Sequence, residues 1–312
     1  MRVTLTGATG LIGPRLVREL QGRGDEVTVL TRDPQKAREA LPGVDAVAWA
    51  DPVGQPAPAA ALAGRDAVVN LAGEPVAQRW SDAVKRRIRA SRELGTRNLV
   101  AGMRAADTPP RVLVSSSAVG YYGPHGEERL DEQTPPGEDF LAEVCVAWER
   151  EAQAATELGA RVVLVRTGVV LASDGGALKT MLPVFKLGIG GPVAGGRQYM
   201  PWIHLDDLVG IYLRALDDDG WSGPVNGSAP EPVTNRAFSK TLGKALGRPA
   251  FAPVPKLAIQ ALYGEMAAIV VEGQRAVPAR TTELGYAFRH SELEAALRSA
   301  LGMREALIGP SP

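Results

Sequence analysis

The sequence predicts an α/β fold built on a doubly wound parallel sheet, with a smaller C-terminal lobe interleaved with that sheet. Three observations lead to this prediction. Short apolar strands alternate with helical patterns up to Thr167, a glycine-rich turn joins the first strand to the first helix, and the alternation breaks beyond that point. Short apolar strands bounded by helices are typical of a parallel sheet covered on both faces, the Rossmann type of architecture.

Six segments have the short, β-branched composition of buried strands, and helical patterns separate them. In the first helix, apolar residues recur at i, i+4 spacing from Ile12. Pro14 fits the first turn of that helix, where backbone N–H groups have no intrahelical partner. Longer helices are predicted from about Ser81 to Ala106 and from Phe140 to Leu158. The six predicted strands are Val3–Thr6, Val27–Leu30, Ala46–Trp49, Ala67–Leu71, Arg111–Ser115 and Arg161–Arg166.

The sequence after Thr167 is less regular. Glycines punctuate the stretch from Gly175 to Arg197, which is predicted to be irregular. The elements predicted beyond it are a helix at Leu205–Leu216, a strand at Pro224–Asn226 and a helix at Asn235–Leu246.

The last helical pattern places Leu293, Leu297 and Leu301 on one face. This apolar face is either buried within the protomer or packed against a second subunit, as in a homodimer. The sequence leaves both arrangements open.

Charge and composition exclude several classes of protein. Basic and acidic side chains number 35 each, so no net positive field attracts nucleic acid or anionic lipid. No stretch approaches the roughly 18 apolar residues of a membrane span, and Met1 leads into a predicted strand rather than a signal peptide. We therefore expect a cytoplasmic protein without nucleic-acid or membrane partners.

The single cysteine, Cys145, excludes an internal disulfide and a cysteine-based metal cage. Its expected role is that of a small buried hydrophobe on a helix. No metal site is predicted.

The glycine turn carries the first functional prediction. Gly7, Gly10 and Gly13 permit a tight turn and let a pyrophosphate approach free N–H groups at a helix N-terminus, where the macrodipole favours anions. Because the motif lies between a strand and a helix, it predicts a dinucleotide-binding site. The other cofactor contacts expected in this turn are Thr9, Leu11 and Ile12.

The end of the second predicted strand indicates which dinucleotide binds. An acidic residue there would bind the ribose 2′-hydroxyl of NAD, but this strand ends in Thr31 and Arg32. A guanidinium suits a 2′-phosphate, so NADP(H) is favoured. Asp33 is a counter-signal, but because it precedes Pro34 it is expected to cap a helix instead.

Four segments, Thr6–Gly13, Asn70–Gly73, Ser115–Ser117 and Tyr122–Gly123, together resemble the extended short-chain dehydrogenase/reductase superfamily, the NAD(P)-dependent epimerase/dehydratases. Further segments resemble an atypical branch of that superfamily. This branch comprises epimerase-family proteins, also labelled sugar-nucleotide epimerases or cell-division inhibitors, which carry a small C-terminal domain of their own. The further segments are Asn70–Glu74, Ser117–Gly123, Pro201–His204, Asn226–Pro230 and Glu272–Arg275.

The resemblance implies that NADP(H) binds with its nicotinamide end near Ser117. Glu74, which directly follows an implied contact segment, is a candidate for the nicotinamide side, although an inert loop carboxylate is an equal alternative. The cofactor contacts implied outside the glycine turn are Thr31, Arg32, Leu71, Ala72, Gly73, Arg92, Ser115 and Val170.

The sequence departs from the superfamily at its acid–base pair. Members use a Tyr-x-x-x-Lys pair on the helix that follows the serine, and the Tyr exchanges a proton with the substrate oxygen. This chain has no Tyr between Tyr122 and Tyr199 and no Lys between Lys85 and Lys179. The usual pair is therefore absent. At the expected place stand Phe140, Leu141, Val144 and Cys145.

Other residues are candidates for the missing chemistry. Ser117 keeps the role of holding the substrate oxygen, and Tyr121 and Tyr122 offer phenols nearby, although either could simply line the site. His125 is a weaker candidate because an exposed loop residue is the more ordinary interpretation. His204 stands at the start of a predicted helix, where a capping and orienting role is expected.

The stretch Gly175–Arg197 resembles the loop that closes over the substrate in sugar-nucleotide enzymes. Lys179, Lys186 and Arg197 are then predicted contacts for an anionic group, and Trp202 is a predicted aromatic contact for the substrate. A surface loop without function is the alternative.

Two functions from different classes remain open. One is an NADP(H)-dependent oxidoreductase or epimerase acting on a small carbonyl or sugar-like substrate, with a phenol or water as proton donor. The other is a catalytically inactive NADPH-binding sensor or regulatory protein. The substrate-type loop and Trp202 favour the enzyme, whereas the missing pair favours the sensor.

The expected domain boundaries follow from these assignments. Residues 1–170 would form the NADP-binding domain, to which parts of 200–230 return. Residues 171–312 would form a substrate-side lobe that includes a small helical domain at about 250–302.

Overall fold

The computed structural model describes residues 1–303. In chain order the strands are β1 Arg2–Thr6, β2 Glu26–Thr31, β3 Asp45–Ala48, β4 Ala67–Asn70, β5 Val112–Ala118, β6 Arg129–Leu130, β7 Arg161–Thr167, β8 Val169–Leu171, β9 Tyr199–Met200, β10 Trp202–His204, β11 Gly223–Gly227, β12 Val233–Thr234 and β13 Arg275–Ala276. The helices are α1 Gly13–Gly22, α2 Pro34–Ala40, α3 Asp82–Arg104, α4 Phe140–Gln153, α5 Gly176–Lys186, α6 Leu205–Asp217, α7 Asn235–Leu246, α8 Lys256–Tyr263, α9 Ala267–Glu272, α10 Ala279–Glu283 and α11 Leu293–Ala300.

A central sheet of seven strands organises the molecule, in the order β3-β2-β1-β4-β5-β7-β11. Every neighbouring pair in it is parallel. The strand order reverses between β1 and β4, where Thr6 is in register with Asn70. Ligands of doubly wound sheets bind in the crevice beyond the carboxyl ends of the strands at such a reversal. The predicted fold class is confirmed.

Helices cover both faces of this sheet. One core cluster joins the sheet to α1, α2 and α6, and a second joins the opposite face to α3 and α4. The strands are almost continuously apolar because both of their faces are buried.

The seventh strand, β11, returns to the sheet beside β7, with Val225 opposite Val165. The sequence gives six strands before Thr167 and a separate strand at Pro224–Asn226. The sequence of β11, Gly-Pro-Val-Asn-Gly, has low strand propensity, so its place at the sheet edge is set by tertiary contacts.

The prediction that the stretch from Gly175 to Arg197 is irregular is wrong in its first half. Helix α5 occupies Gly176–Lys186 even though Pro183 lies inside it. Its buried residues recur at helical spacing and pack into a third core cluster with α7 and α11. These buried residues are Leu178, Leu182 and Phe185.

The same cluster covers the apolar face of the last helix, α11. Leu293 and Leu297 are buried against this core, and Leu301 packs at its edge. The face is therefore covered within the protomer. Within residues 1–303, no helix combines the length and apolar character that a membrane crossing requires.

Candidate functional site

The glycine turn between β1 and α1 is fixed by close backbone approaches. Gly7 has a φ of 67°, and a Cβ placed on it would lie 2.6 Å from the carbonyl carbon of Leu71. A Cβ on Gly13 would lie 2.1 Å from the carbonyl oxygen of Ala8. The amide of Gly10 closes the turn on the carbonyl of Gly7 at 3.0 Å. Side chains would therefore push apart β1, β4 and α1 at the strand reversal.

The N-terminus of α1 is open to a ligand. Ile12 occupies the N-cap position without a side-chain capping bond. Within residues 1–303, the amides of Leu11 and Ile12 donate no hydrogen bond. Free amides at a helix N-terminus attract anions, so this turn fits the pyrophosphate of a dinucleotide.

At the end of β2, Asp33 has the predicted capping role. Asp33 caps α2 by accepting a hydrogen bond from the amide of Lys36 at 3.0 Å. Thr31 is half-buried, and its Oγ1 accepts from the amide of Asp33 at 3.2 Å. Arg32 is exposed and forms no ion pair within residues 1–303, so its guanidinium is available to an anion.

A buried polar network holds the end of β4 next to the glycine turn. Thr6 Oγ1 donates to Asn70 at 2.7 Å and accepts from the amide of Ala72 at 3.3 Å. Asn70 Nδ2 donates to Thr96 at 3.0 Å and to Ser115 at 3.3 Å. Ser115 is fully buried, so it braces the strand ends from below.

Arg92 on α3 anchors the segment that follows β4. Its Nη1 donates to the carbonyls of Glu74 and Ile88 at 3.0 and 3.3 Å, and its guanidinium lies 5.1 Å from the Trp148 ring. A Cβ on Gly73 would lie 3.1 Å from the Arg92 Cζ. Burial lowers the pKa of Arg92 below its usual value. Arg92 thus positions the implied cofactor segment Leu71–Glu74.

The Glu74 carboxylate bonds to neighbouring side chains. It accepts from Gln78 at 3.2 Å and from Arg87 at 3.4 Å. This placement favours the surface-carboxylate alternative.

Val170 lies on the side of the glycine turn where α5 begins. It is half-buried on β8, in register with Ile203 of β10. Leu11 packs so closely against the start of α5 that a Cβ on Gly175 would lie 2.5 Å from its Cδ1. The turn, β8 and α5 therefore form one continuous wall.

Ser117, at the end of β5, belongs to a buried ion-pair network. Its hydroxyl donates to Glu149 Oε1 at 2.6 Å. Arg166 holds the same carboxylate through two bonds of 2.9 Å each. All three residues are buried. The sequence predicts no role for Glu149 or Arg166, because only the packing of α4 against β5 and β7 brings them to Ser117.

Tyr122 is fully buried in the same network. Its hydroxyl donates to Asn226 at 2.8 Å and accepts from Arg166 at 3.2 Å. Burial raises the pKa of Tyr122 well above its usual value, although Arg166 opposes this shift. The backbone N–H of Asn226 in turn donates to Glu132 Oε1 at 2.8 Å. Tyr122 therefore ties β5 to β11 and is not open to a substrate.

Tyr121 is placed differently. It is half-buried, and the Arg166 guanidinium carbon lies 3.4 Å from its ring centroid. Within residues 1–303 its hydroxyl forms no hydrogen bond.

The start of α4 carries no acid or base where the superfamily has one. Phe140 packs edge-on against Trp80, with ring centroids 5.3 Å apart. Burial raises the pKa of the Cys145 thiol to about 12, and its contacts with Ser117 and Arg92 only partly offset that rise. Cys145 is buried, as predicted, and stays protonated at neutral pH.

His204 caps α6, as predicted, by accepting a hydrogen bond from the amide of Asp206 at 3.1 Å. Its ring stacks on His290 with centroids 3.8 Å apart. Burial and the neighbouring His290 lower the pKa of His204 to about 4, so it is neutral at pH 7. His125 is half-buried, and its Nδ1 lies 3.3 Å from a carboxylate oxygen of Glu128.

The predicted substrate contacts are not brought together. Lys179 and Lys186 are exposed on α5, and Arg197 is exposed further along. Trp202 is fully buried in the third core cluster, and its Nε1 donates to the carbonyl of Glu231 at 3.1 Å. Trp202 is thus a core residue in this structure.

The parallel sheet, its strand reversal and the glycine turn define an α/β protein of the dinucleotide-binding type. The sequence model of the NAD dependent epimerase/dehydratase family matches residues 3–226, and that of a domain of unknown function, DUF1731, matches residues 254–300. The chain belongs to the NAD-dependent epimerase/dehydratase family. The resemblance inferred from its motifs is confirmed.

Relatives match along nearly the whole chain. Human epimerase family protein SDR39U1 is 40% identical over 303 residues, which cover 96% of this chain and 99% of that protein. Its chloroplastic homolog from Arabidopsis thaliana is 43% identical over 311 residues, covering 96% and 87% of the two chains. The crystal structure of human SDR39U1 isoform 2 with NADPH has a TM-score of 0.85 at 38% identity, covering 97% of this chain and 99% of that one.

Proposed function

We propose that this chain binds NADP(H) at the glycine turn and uses it to exchange a hydride with a small carbonyl or sugar-like substrate. The open amides of Leu11 and Ile12 would hold the pyrophosphate, and the exposed Arg32 would hold the 2′-phosphate. The human relative was crystallised with NADPH, which supports this choice of cofactor. When bound, the nicotinamide supplies the hydride chemistry.

The pairing of Tyr121 with Arg166 is the observation that carries the catalytic part of this proposal. The superfamily places a lysine cation beside the phenol that donates the proton. Here the Arg166 guanidinium lies 3.4 Å from the Tyr121 ring centroid, so a cation again adjoins a phenol. The Tyr121 hydroxyl is free, whereas that of Tyr122 is bonded to Asn226. We therefore assign proton donation to Tyr121.

Ser117 would hold the substrate oxygen only when that oxygen belongs to an alcohol. A serine hydroxyl has one proton to donate, and Ser117 donates it to Glu149. Its oxygen can then only accept a hydrogen bond from the ligand. When hydride reaches the carbonyl carbon and Tyr121 protonates the oxygen, the product is an alcohol. The hydroxyl of that alcohol can donate the hydrogen bond to Ser117.

Turnover of NADPH tests the proposal. Purified protein would be mixed with NADPH and a panel of aldehydes, ketones and sugars, and absorbance at the nicotinamide band followed. We expect oxidation of NADPH with at least one member of the panel. Tight NADPH binding without oxidation by any member would contradict the catalytic part.

An NADPH-binding sensor is the second candidate function. Its support is the start of α4, where Phe140 and Leu141 are apolar and the Cys145 thiol, with a pKa of about 12, cannot take up or release a proton at pH 7. The sensor requires NADPH binding that changes the protein without consuming the cofactor. The turnover experiment separates the two functions.

A further inference from the structure

A cavity of about 380 Å³ opens between the start of α4 and the C-terminal helices α8 and α9. Trp80, Phe140 and Leu141 line one side, and Ala267 to Ile269 line the other. Leu141 packs against the turn that follows β5, because a Cβ placed on Gly120 would be 3.4 Å from the Leu141 Cβ. The cavity therefore adjoins the carboxyl end of the strand that carries Ser117, and its volume suits a small molecule.

The charged lining of this cavity is mainly acidic. Asp139, Glu265 and Glu272 face one basic residue, Lys256, which leaves a formal excess of two negative charges. No arginine is among the lining residues in the described part of the chain. Lys85, whose ammonium lies 5.1 Å from the Phe140 ring centroid, forms an ion pair with Glu265 at 2.6 Å. With Glu265 neutralised, Asp139 and Glu272 outnumber Lys256 by one negative charge.

A sugar linked to a nucleoside diphosphate carries two negative charges on its phosphates. Sites for such groups use arginine forks or lysine ammonium groups that face the phosphates. The exposed Lys179 and Arg197, which were predicted to bind an anionic group, do not line the cavity. Among the lining residues of the described chain, Lys256 is the single cation, and the carboxylates of Asp139 and Glu272 oppose it. One ammonium group does not balance the two charges of a diphosphate, so the cavity disfavours that group.

We propose that the substrate of this site is a neutral small molecule, and that sugars linked to a nucleoside diphosphate are rejected by the charge of the cavity. Apolar walls at Phe140 and Leu141 bind the carbon skeleton, and the amides of Gln260 and Gln274 offer hydrogen bonds to its hydroxyl or carbonyl groups. This inference rests on the proposed function, because it assigns the substrate class of the same site.

Ligand binding to NADPH-loaded protein tests the inference without requiring turnover. The neutral probes are benzaldehyde, cyclohexanone and xylose, the charged probe is UDP-glucose, and dissociation constants come from ligand-observed NMR and calorimetry. We expect at least one neutral probe to bind about tenfold or more tightly than UDP-glucose. Equal or tighter binding of UDP-glucose, or no binding by any neutral probe, overturns the inference.

Variants locate the binding and its charge dependence. Leu141→Trp fills the cavity and should abolish neutral-probe binding, whereas Leu187→Trp, at a residue 74% exposed elsewhere, should leave it unchanged. Glu272→Lys should narrow the difference between the neutral probes and UDP-glucose. Equal effects of the two tryptophans, or an unchanged preference in Glu272→Lys, overturn the inference.

NADPH affinity is measured first for every protein. Loss of NADPH binding in the wild type would refute the proposed cofactor site. In that case the probe titrations in cofactor-free protein still decide the charge preference of the cavity, so the two failures are distinguishable.

Discussion

Glu149→Gln removes the charge at the centre of the buried network. Glu149 is 8% exposed and its partner Arg166 is 3% exposed, and two bonds of 2.9 Å join them. The substitution keeps the side-chain shape but leaves the guanidinium buried without a counter-charge. Breaking a buried ion pair in this way costs about 3–5 kcal/mol. We expect the free energy of unfolding to fall by that amount.

Glu151→Gln is the matched control on the same helix. Glu151 also bonds to arginines, with distances of 2.9 Å to Arg97 and 3.0 Å to Arg150. These arginine side chains are 51% and 63% exposed, so water already screens the charges. Pairs of this kind contribute about 0–1 kcal/mol, and the control should lose no more.

Urea denaturation followed by circular dichroism measures both variants against the wild type, with m held in common. In thermal scans, at about 2–4 °C per kcal/mol, Glu149→Gln should melt roughly 6–20 °C lower. Equal stability of the two variants would refute the reasoning, because it would mean that burial does not set the value of the Glu149–Arg166 pair.

Three further predictions concern the cofactor site and the thiol. Arg32→Asp should weaken NADPH binding about tenfold in fluorescence titrations and bring the dissociation constants of NADPH and NADH closer together. An unchanged ratio of the two dissociation constants would contradict the assignment of Arg32 to the 2′-phosphate. Gly13→Ala should destabilise the protein by about 1–3 kcal/mol or more in urea unfolding, since the new Cβ meets the Ala8 carbonyl at 2.1 Å. Gly22→Ala, with nothing within 4 Å, should be neutral or stabilising by up to about 1 kcal/mol. Because the pKa of Cys145 is about 12, only about one thiol in a thousand is ionised at pH 9. Disulfide reagents should therefore label it only in denaturant, and rapid labelling of the native protein would count against its burial.

Local patterns predicted most of the fold correctly. Helix α7 begins and ends where the sequence places it, and the caps at Asp33 and His204 follow from a polar residue just before a helical pattern. Strands such as β7 can be predicted from the sequence, because a strand buried on both faces has a continuous apolar run. The prediction fails at α5, because its glycine and Pro183 are typical of irregular structure although the segment is helical.

The candidate site could be predicted only in part from the sequence, because it depends on contacts between distant segments. Tyr121 and Tyr122 are neighbours in the sequence, yet one is half-buried under Arg166 and the other is bonded to Asn226, 104 residues away. No local pattern distinguishes the two phenols. Glu149 lies inside an amphipathic helix, where a surface carboxylate is the ordinary interpretation, and only the packing of α4 against β5 and β7 reveals its partners.

The rates of NADPH oxidation by Tyr121→Phe and Tyr122→Phe, compared under identical conditions with a reactive panel member, test the central claim most directly. Loss of a general acid typically lowers the rate about 100-fold or more. We predict that loss for Tyr121→Phe with NADPH affinity retained, and a rate within about tenfold of the wild type for Tyr122→Phe. A wild-type rate in Tyr121→Phe, or an equal loss in both variants, would contradict the assignment of proton donation to the phenol beside Arg166.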